Sequence, residues 1–301
     1  MGIEATSLQS LAEMINTIYL WDVEPRLIDL KDYELSGGGK LGESYIKRDD
    51  SDVLLKLYPL NFKQMGIDEY DRASKVYSIG IPCPAPGEPV TTADGRIGLL
   101  FKRIQGKKSY ARATSEHPEL VEQYAAEFAA MCRQLHSVKP QPGLFSQAKD
   151  QYIQGIKESP FLTHQERIGL ERFIRTLPDA QTALHGDLHY GNAIFSSDGK
   201  KYFIDLSEFC IGTPLFDIGI CYLQTKLIPD EIVQELYHMD KSLAIKFWNA
   251  FVKEYFGPDA QIETIEEMVK PYALLRILLT EQMLGRPNPF IRPAIHRMIN
   301  I

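Results

Sequence analysis

The chain has little cysteine, no long apolar run and no surplus of positive charge. Its four cysteines, Cys83, Cys132, Cys210 and Cys221, form no C-x-x-C pair. Their spacing supplies no zinc framework. It suits thiols kept reduced, so a cytoplasmic protein is expected. No stretch approaches the ~18 consecutive apolar residues of a membrane helix, so no membrane partner is expected. The N-terminus lacks a basic segment followed by an apolar core, which predicts no secretory signal. Internal repeats and low-complexity segments are missing too. A net charge of -7 argues against a nucleic-acid partner, because phosphate contacts need clustered Lys and Arg. It leaves a cationic substrate open. What is present, 301 residues at 44% hydrophobic and 24% charged, is enough for two lobes with a sizeable core.

The pattern along the chain falls into two parts. Thr6-Ser7-Leu8-Gln9 reads as a capping box, with Leu8, Leu11, Ile15 and Ile18 on one face of a short helix. Residues 26–35 read as a strand, and residues 36–42 are glycine-dense. Residues 44–47 and 53–58 read as strands around the polar turn Asp49-Asp50-Ser51-Asp52. Residues 61–79 carry a helical pattern closed by Gly80 and Pro82, and Pro82, Pro84 and Pro86 stiffen the connector. Residues 88–92 and 96–102 form a second hairpin around Asp94-Gly95. The character then changes. Residues 118–138 form an amphipathic helix with Pro118 in its first turn and Leu120, Tyr124, Phe128, Met131 and Leu135 on one face. The remainder reads as helical except near 183–211, where 182–184, 193–195 and 201–204 read as short strands. Strands first and helices second predict an α+β protein. Residues 1–103 would form a small antiparallel-sheet lobe, and 104–301 a larger, mostly helical one.

The chemistry concentrates in Leu184-His185-Gly186-Asp187-Leu188-His189-Tyr190-Gly191-Asn192, followed by Phe203-Ile204-Asp205-Leu206. Asn192 lies five positions after Asp187, and Asp205 thirteen after Asn192. These are oxygen ligands and proton acceptors of the kind a magnesium–nucleotide site needs. Kinase-type phosphoryl transfer uses an Asp to collect the acceptor proton, and an Asn with a second Asp to hold magnesium. Upstream, Gly37, Gly39 and Gly42 spell G-x-G-x-x-G. A dinucleotide fold would place a helix directly after that loop. A hairpin follows instead, as in loops that cover ATP phosphates; taken alone, the triplet also reads as a surface turn. Lys56 stands inside an apolar strand. A buried ammonium needs an anionic partner, yet alternation equally allows Lys56 the solvent face, opposite Leu55 and Leu57. The next helix offers Glu69 as a carboxylate, with Asp68 and Asp71 as rivals.

The string His-Gly-Asp-x-His-x-x-Asn with the downstream Asp resembles the aminoglycoside phosphotransferase and choline kinase-like family, an offshoot of the protein-kinase fold. The resemblance runs from the glycine loop to about residue 225. It implies a two-lobed, protein kinase-like fold. The activity implied is ATP-dependent transfer of the γ-phosphate to a small-molecule hydroxyl, of an aminoglycoside, choline-like, sugar or amino-acid type. Mg2+ and ATP are implied as cofactor and co-substrate, with GTP left open. In the resemblance, Gly37, Gly39, Gly42 and Lys56 meet the phosphates, and Glu69 orients Lys56. The backbone of Lys102 and Ile104, in Leu99-Leu100-Phe101-Lys102-Arg103-Ile104-Gln105-Gly106, meets the adenine edge. Asp187 is the implied catalytic base, and Asn192 and Asp205 are the implied magnesium ligands. His185 supports the loop, His189 takes its second position and Asp217 braces it. The chain departs from the family pattern after Asp205, where Ser207 and Glu208 stand.

Two other readings compete. His185, Asp187 and His189 alternate, and on a strand they would share one face as ligands of a metal-dependent hydrolase. Gly186 and Gly191 favour a loop instead. A non-catalytic nucleotide-binding module would be expected to lack Asp187, Asn192 or Asp205, and all three are present. For the acceptor, Glu231, Glu235, Glu263, Glu266 and Glu267 either line an acidic pocket for an amine or are solvated helix faces, the commoner state of charged residues.

Overall fold

The computed structural model describes residues 24–39 and 42–300. The helix expected over residues 6–18 lies outside the described residues. The chain divides into two compact units, the first ending at Gln105 and the second beginning at Gly106.

The first unit is built on a sheet of β1 (Arg26–Ile28), β2 (Tyr33–Gly39), β3 (Gly42–Lys47), β4 (Val53–Leu57), β5 (Pro86–Thr92) and β6 (Ile97–Lys102). The spatial order is β1-β5-β6-β4-β3-β2. All neighbours are antiparallel except β1 with β5. The single strand expected over 26–35 is therefore two strands on opposite edges. Asp29 breaks it: its carboxylate accepts the Lys31 N–H (3.0 Å) and starts a 3-10 turn over Leu30–Asp32. In β4, alternation sends Leu55 and Leu57 into a core with Ile28, Tyr33 and Val90 and Lys56 to the other face. Each buried leucine stabilises by about 1.5–3 kcal/mol, so a one-residue slip of β4 is strongly disfavoured. Helix α1 (Lys63–Ser78) lies tight on Tyr58, since a Cβ at Gly66 would come within 2.8 Å of that ring.

The second unit contains α2 (Tyr110–Glu116), α3 (Val121–Ser137), α4 (Ala148–Glu158), α5 (His164–Thr176), α6 (Leu215–Tyr222), α7 (Asp230–Tyr237), α8 (Lys241–Phe256), α9 (Ile262–Leu284) and α10 (Arg292–Ile299). Two small sheets sit among them. One orders β10 (Lys201–Phe203), β9 (Ala193–Phe195) and β7 (Lys108–Ser109). The other pairs β11 (Cys210–Gly212) with β8 (Thr182–Leu184). Pro118 opens a 3-10 turn, so α3 starts later than the pattern suggested and Leu120 stays on the surface. Phe128, Met131 and Leu135 are buried, and the Phe128 ring lies 5.8 Å from Phe247 and 5.4 Å from Phe251 of α8. Helices α6 and α9 approach closely at Gly219, where a Cβ would meet the Tyr272 side chain at 2.6 Å. That contact fixes the two helices that carry Asp217 and Arg276. All four cysteines are buried. No helix among the described residues is long and apolar enough to cross a membrane.

Candidate active site

In the first unit, Lys56 Nζ donates to both Glu69 oxygens, at 2.7 and 2.8 Å. The Tyr58 hydroxyl donates to the same carboxylate. Glu69 is buried, whereas Lys56 keeps 27% side-chain exposure. The ammonium is thus anchored by Glu69. The rivals are engaged elsewhere: Asp68 accepts from Gln64, and Asp71 pairs with Lys75. The glycine triplet ends β2 and opens β3, with Gly39 paired to Gly42. Gly42 has no room for a side chain, because a Cβ would stand 2.6 Å from the Leu57 carbonyl. At the end of β6 the Lys102 N–H is donated to the Ala85 carbonyl (2.9 Å), which removes it as a donor to a base.

In the second unit, the segment from His185 to Asn192 is a loop between β8 and β9. Its frame is Asp217, on the first turn of α6 and fully buried. Asp217 Oδ2 accepts from the His185 N–H (2.7 Å) and from His136 Nε2 (3.0 Å), and Oδ1 accepts from the Gly186 N–H (2.9 Å). A buried carboxylate with three donors is satisfied and rigid. His185 Nδ1 accepts the Asp187 N–H (3.3 Å), so its proton sits on Nε2 and is donated to the Ile204 carbonyl (3.0 Å). Both ring nitrogens are spent on backbone. His185 is therefore no metal ligand, and the alternating His-Asp-His face of a metal hydrolase does not form. Gly186 has φ +84°, and a Cβ there would stand 2.0 Å from the Glu208 carbonyl. Only glycine fits.

Asp187 emerges from this frame with 24% side-chain exposure. Its Oδ1 accepts from Arg276 Nη2 (2.9 Å), and its Oδ2 accepts from Asn192 Nδ2 (3.3 Å). Asn192 Nδ2 also donates to the Asp187 carbonyl (3.0 Å). Burial alone would raise the Asp187 carboxyl. Electrostatic attraction, chiefly from the Arg276 charge, and the Asn192 hydrogen bond outweigh it and hold the group below its ordinary value. His189 Nδ1 accepts the Gly191 N–H (3.0 Å), leaving Nε2 facing Asp187 Oδ2 at 3.8 Å. Burial lowers this imidazole below its usual range, against the pull of Asp187.

Arg276 is the residue that sequence reasoning missed. It sits on α9, 89 positions from Asp187, and grips Glu208 through both guanidinium nitrogens, one at 3.0 Å. Burial would lower the guanidinium; Glu208 and then Asp187 overcome this and raise it. Glu208 is thereby an anchor for Arg276. The sequence carried one usable signal: Arg276 interrupts the apolar run Tyr272-Ala273-Leu274-Leu275-Arg276-Ile277-Leu278-Leu279, and a charge there requires a partner.

The metal-type donors are Asn192 and Asp205. With its Nδ2 turned to Asp187, the Asn192 amide presents its carbonyl oxygen away from the base. Asp205 is exposed and holds a left-handed backbone, φ 59°, uncommon for non-glycine residues but better tolerated by Asp than by most. Both offer the hard oxygen ligands that magnesium takes. No cluster of three or more His, Cys, Asp or Glu exists among the described residues to cage a metal. Of the glutamates weighed for an acidic pocket, Glu231, Glu235, Glu263 and Glu267 are exposed. Glu266 is buried against Lys226 and Trp248.

Comparison with known proteins follows the same lines. The model of the Phosphotransferase enzyme family, APH, matches residues 35–241. A comparison with curated protein sequences gives no match. Among solved structures, the chain is similar to amicoumacin kinase hAmiN in complex with AMP-PNP, Ca2+ and Ami. The identity is 14%, 100% of this chain and 95% of that chain are covered, and the TM-score is 0.54. It is similar to choline kinase LicA from Streptococcus pneumoniae, at 14% identity, 97% and 96% coverage and a TM-score of 0.52. It is also similar to aminoglycoside phosphotransferase APH(3'')-Id from Streptomyces rimosus in complex with ADP and streptomycin. There the identity is 18%, the coverage 87% and 98%, and the TM-score 0.54. At these identities the likeness carries the fold, and the expected α+β, protein kinase-like class is borne out.

Proposed function

The chain belongs to the phosphotransferase enzyme family, and we propose that it moves the γ-phosphate of ATP to a hydroxyl of a small molecule. The observation that carries this reading is the fixed, part-exposed Asp187 carboxylate, held by Arg276 on one oxygen and Asn192 on the other. Asp187 Oδ2 orients the acceptor hydroxyl and takes its proton as the new O–P bond forms. The bond from the γ-phosphorus to the bridging oxygen breaks, and ADP leaves. Positioning matters more than base strength, because the transition state is loose. A depressed carboxyl pKa is therefore compatible with the role.

Asn192 and Asp205 would hold Mg2+, which when bound neutralises charge on the β- and γ-phosphates. Lys56, kept in place by Glu69, pairs with phosphate oxygens. Gly37, Gly39 and Gly42 let the backbone approach them. The adenine edge is read by Ile104 and, since the Lys102 donor is taken, by the carbonyl of Lys102. Residues 1–103 carry the glycine loop and Lys56, and 104–301 the catalytic loop and the acceptor pocket. Titration calorimetry with ATP and with GTP, with and without Mg2+, tests the nucleotide half, and absence of magnesium-dependent binding of either sinks it. An ADP-release screen over hydroxyl compounds tests the transfer half.

A further inference from the structure

The second unit contains a cavity of about 480 Å³ at the catalytic loop, within the size range of small-ligand sites. His189 and Gly191 form one wall, Ser109 and Arg112 another, and Gln224 and Tyr237 a third. His189 also faces Asp187, at 3.8 Å from Oδ2, so one imidazole separates the cavity from the proposed base. His189, which lines the cavity, thus faces the Asp187 oxygen that Arg276 does not hold.

Among the described residues no carboxylate lines the cavity. Its polar groups are hydrogen-bonding and neutral, or cationic. The Tyr237 hydroxyl donates to Gln224 Oε1 (2.9 Å), which leaves the Gln224 amide hydrogens for a ligand. Ser109 Oγ accepts the Arg112 N–H (3.1 Å) and keeps its own proton to donate. Arg112 is paired with Glu116 at 2.6 Å, but Glu116 is shared with Lys108 at 2.7 Å. The triad is therefore net positive. The acidic residues of α7 are segregated: Asp230, Glu231 and Glu235 line a separate groove with Asp240, while Leu236 and Tyr237 face the cavity.

An ammonium-bearing acceptor would meet no carboxylate among the described residues of the lining, only neutral hydrogen-bonding groups and Arg112. Nor do the described residues form an aromatic cage for a quaternary ammonium, because Tyr237 is the one Phe, Tyr or Trp among them in the lining. We propose that the acceptor is a compact polyhydroxyl compound without ammonium groups, a sugar or a sugar acid. It would be bound by Gln224, Ser109 and Tyr237, with Arg112 placed for an acid group. The proposal rests on the phosphotransferase reading above.

The test measures ADP release by the full chain with magnesium–ATP against two sets of probes. One set is neutral hexoses, pentoses and their aldonic acids. The other is kanamycin, streptomycin and choline. The expected result is turnover of at least one member of the first set and of none of the second. Gln224→Ala is expected to raise the KM for that sugar about tenfold, the loss of one good hydrogen bond, with the KM for ATP unmoved. Turnover of an amine in preference to every sugar overturns the proposal. So does failure of the whole sugar set when slow ATP hydrolysis, absent from Asp187→Asn, shows the transfer machinery intact. Failure of the underlying reading looks different: no magnesium-dependent ATP binding or hydrolysis at all, in which case both fall together.

Discussion

Asp187 is held by groups of two kinds, and their removal should be felt differently. Asp187→Asn deletes the proton acceptor and should lower turnover by about 10²–10⁴. Nucleotide affinity should stay near wild type, because Asp187 meets the acceptor and not the phosphates. Asp205→Asn removes a charged metal ligand and should also weaken magnesium-dependent nucleotide binding; equal loss of binding in both folded variants would refute the division of roles. Arg276 positions the base without touching the reactants. Arg276→Ala should cut kcat by roughly tenfold or more while leaving the KM for ATP within about twofold, as expected of a misplaced catalytic group. Arg276→Lys should recover only part of this, since an ammonium cannot grip Glu208 through two nitrogens. A kcat unchanged in Arg276→Ala would remove Arg276 from the mechanism. The contrast in legibility is physical. The pairing of Lys56 with Glu69 and of Asp187 with Asn192 spans thirteen and five residues, so local spacing exposes it. The Arg276 pair joins helix and loop across 89 positions, and no local periodicity records such a contact.

Elements were legible where pattern and turn chemistry agreed, as in the hairpins at Asp49–Asp52 and Asp94-Gly95. Over 26–35 the β pattern was right, but one Asx turn at Asp29 split it. β7 and β11 are two and three residues long, too short for alternation to register. Helix α5 is opened by a capping box that contributes to stability. Thr163 Oγ1 accepts the Glu166 N–H (3.2 Å), and Glu166 accepts the Thr163 N–H (2.8 Å). Thr163→Ala should cost about 1 kcal/mol in urea unfolding. Burial would raise the Glu166 carboxyl, but the Thr163 N–H and the His296 and Arg292 side chains hold it below its ordinary 4.5. A depressed carboxyl contributes stability above its unfolded pKa and loses it as pH falls through the folded value. The destabilisation by Glu166→Gln should therefore be full at pH 7 and shrink below pH 4.5. An undiminished penalty at acid pH would assign Glu166 a purely steric role.

For the whole molecule, the division into a strand-rich first part and a helical second part followed from composition and period. The class of acceptor depends on how much chain the fold leaves free. Protein kinases of related fold carry a long activation segment after the metal-binding Asp, against which a peptide lies. Here eleven residues separate Asp205 from Asp217, and most are committed. Glu208 anchors Arg276. Residues 210–212 form β11, paired register by register with β8. Asp217 is locked by His185, Gly186 and His136. A segment pinned at both ends and in its middle offers no platform for an extended peptide, whereas the cavity at His189 is of small-molecule size. We therefore expect phosphate incorporation into peptide libraries and lysate proteins to remain at the level of an Asp187→Asn control, under conditions where a small hydroxyl compound is turned over. Robust peptide phosphorylation, lost in that control and matched by no small molecule, would require the 205–217 segment to rearrange and would overturn the small-molecule reading.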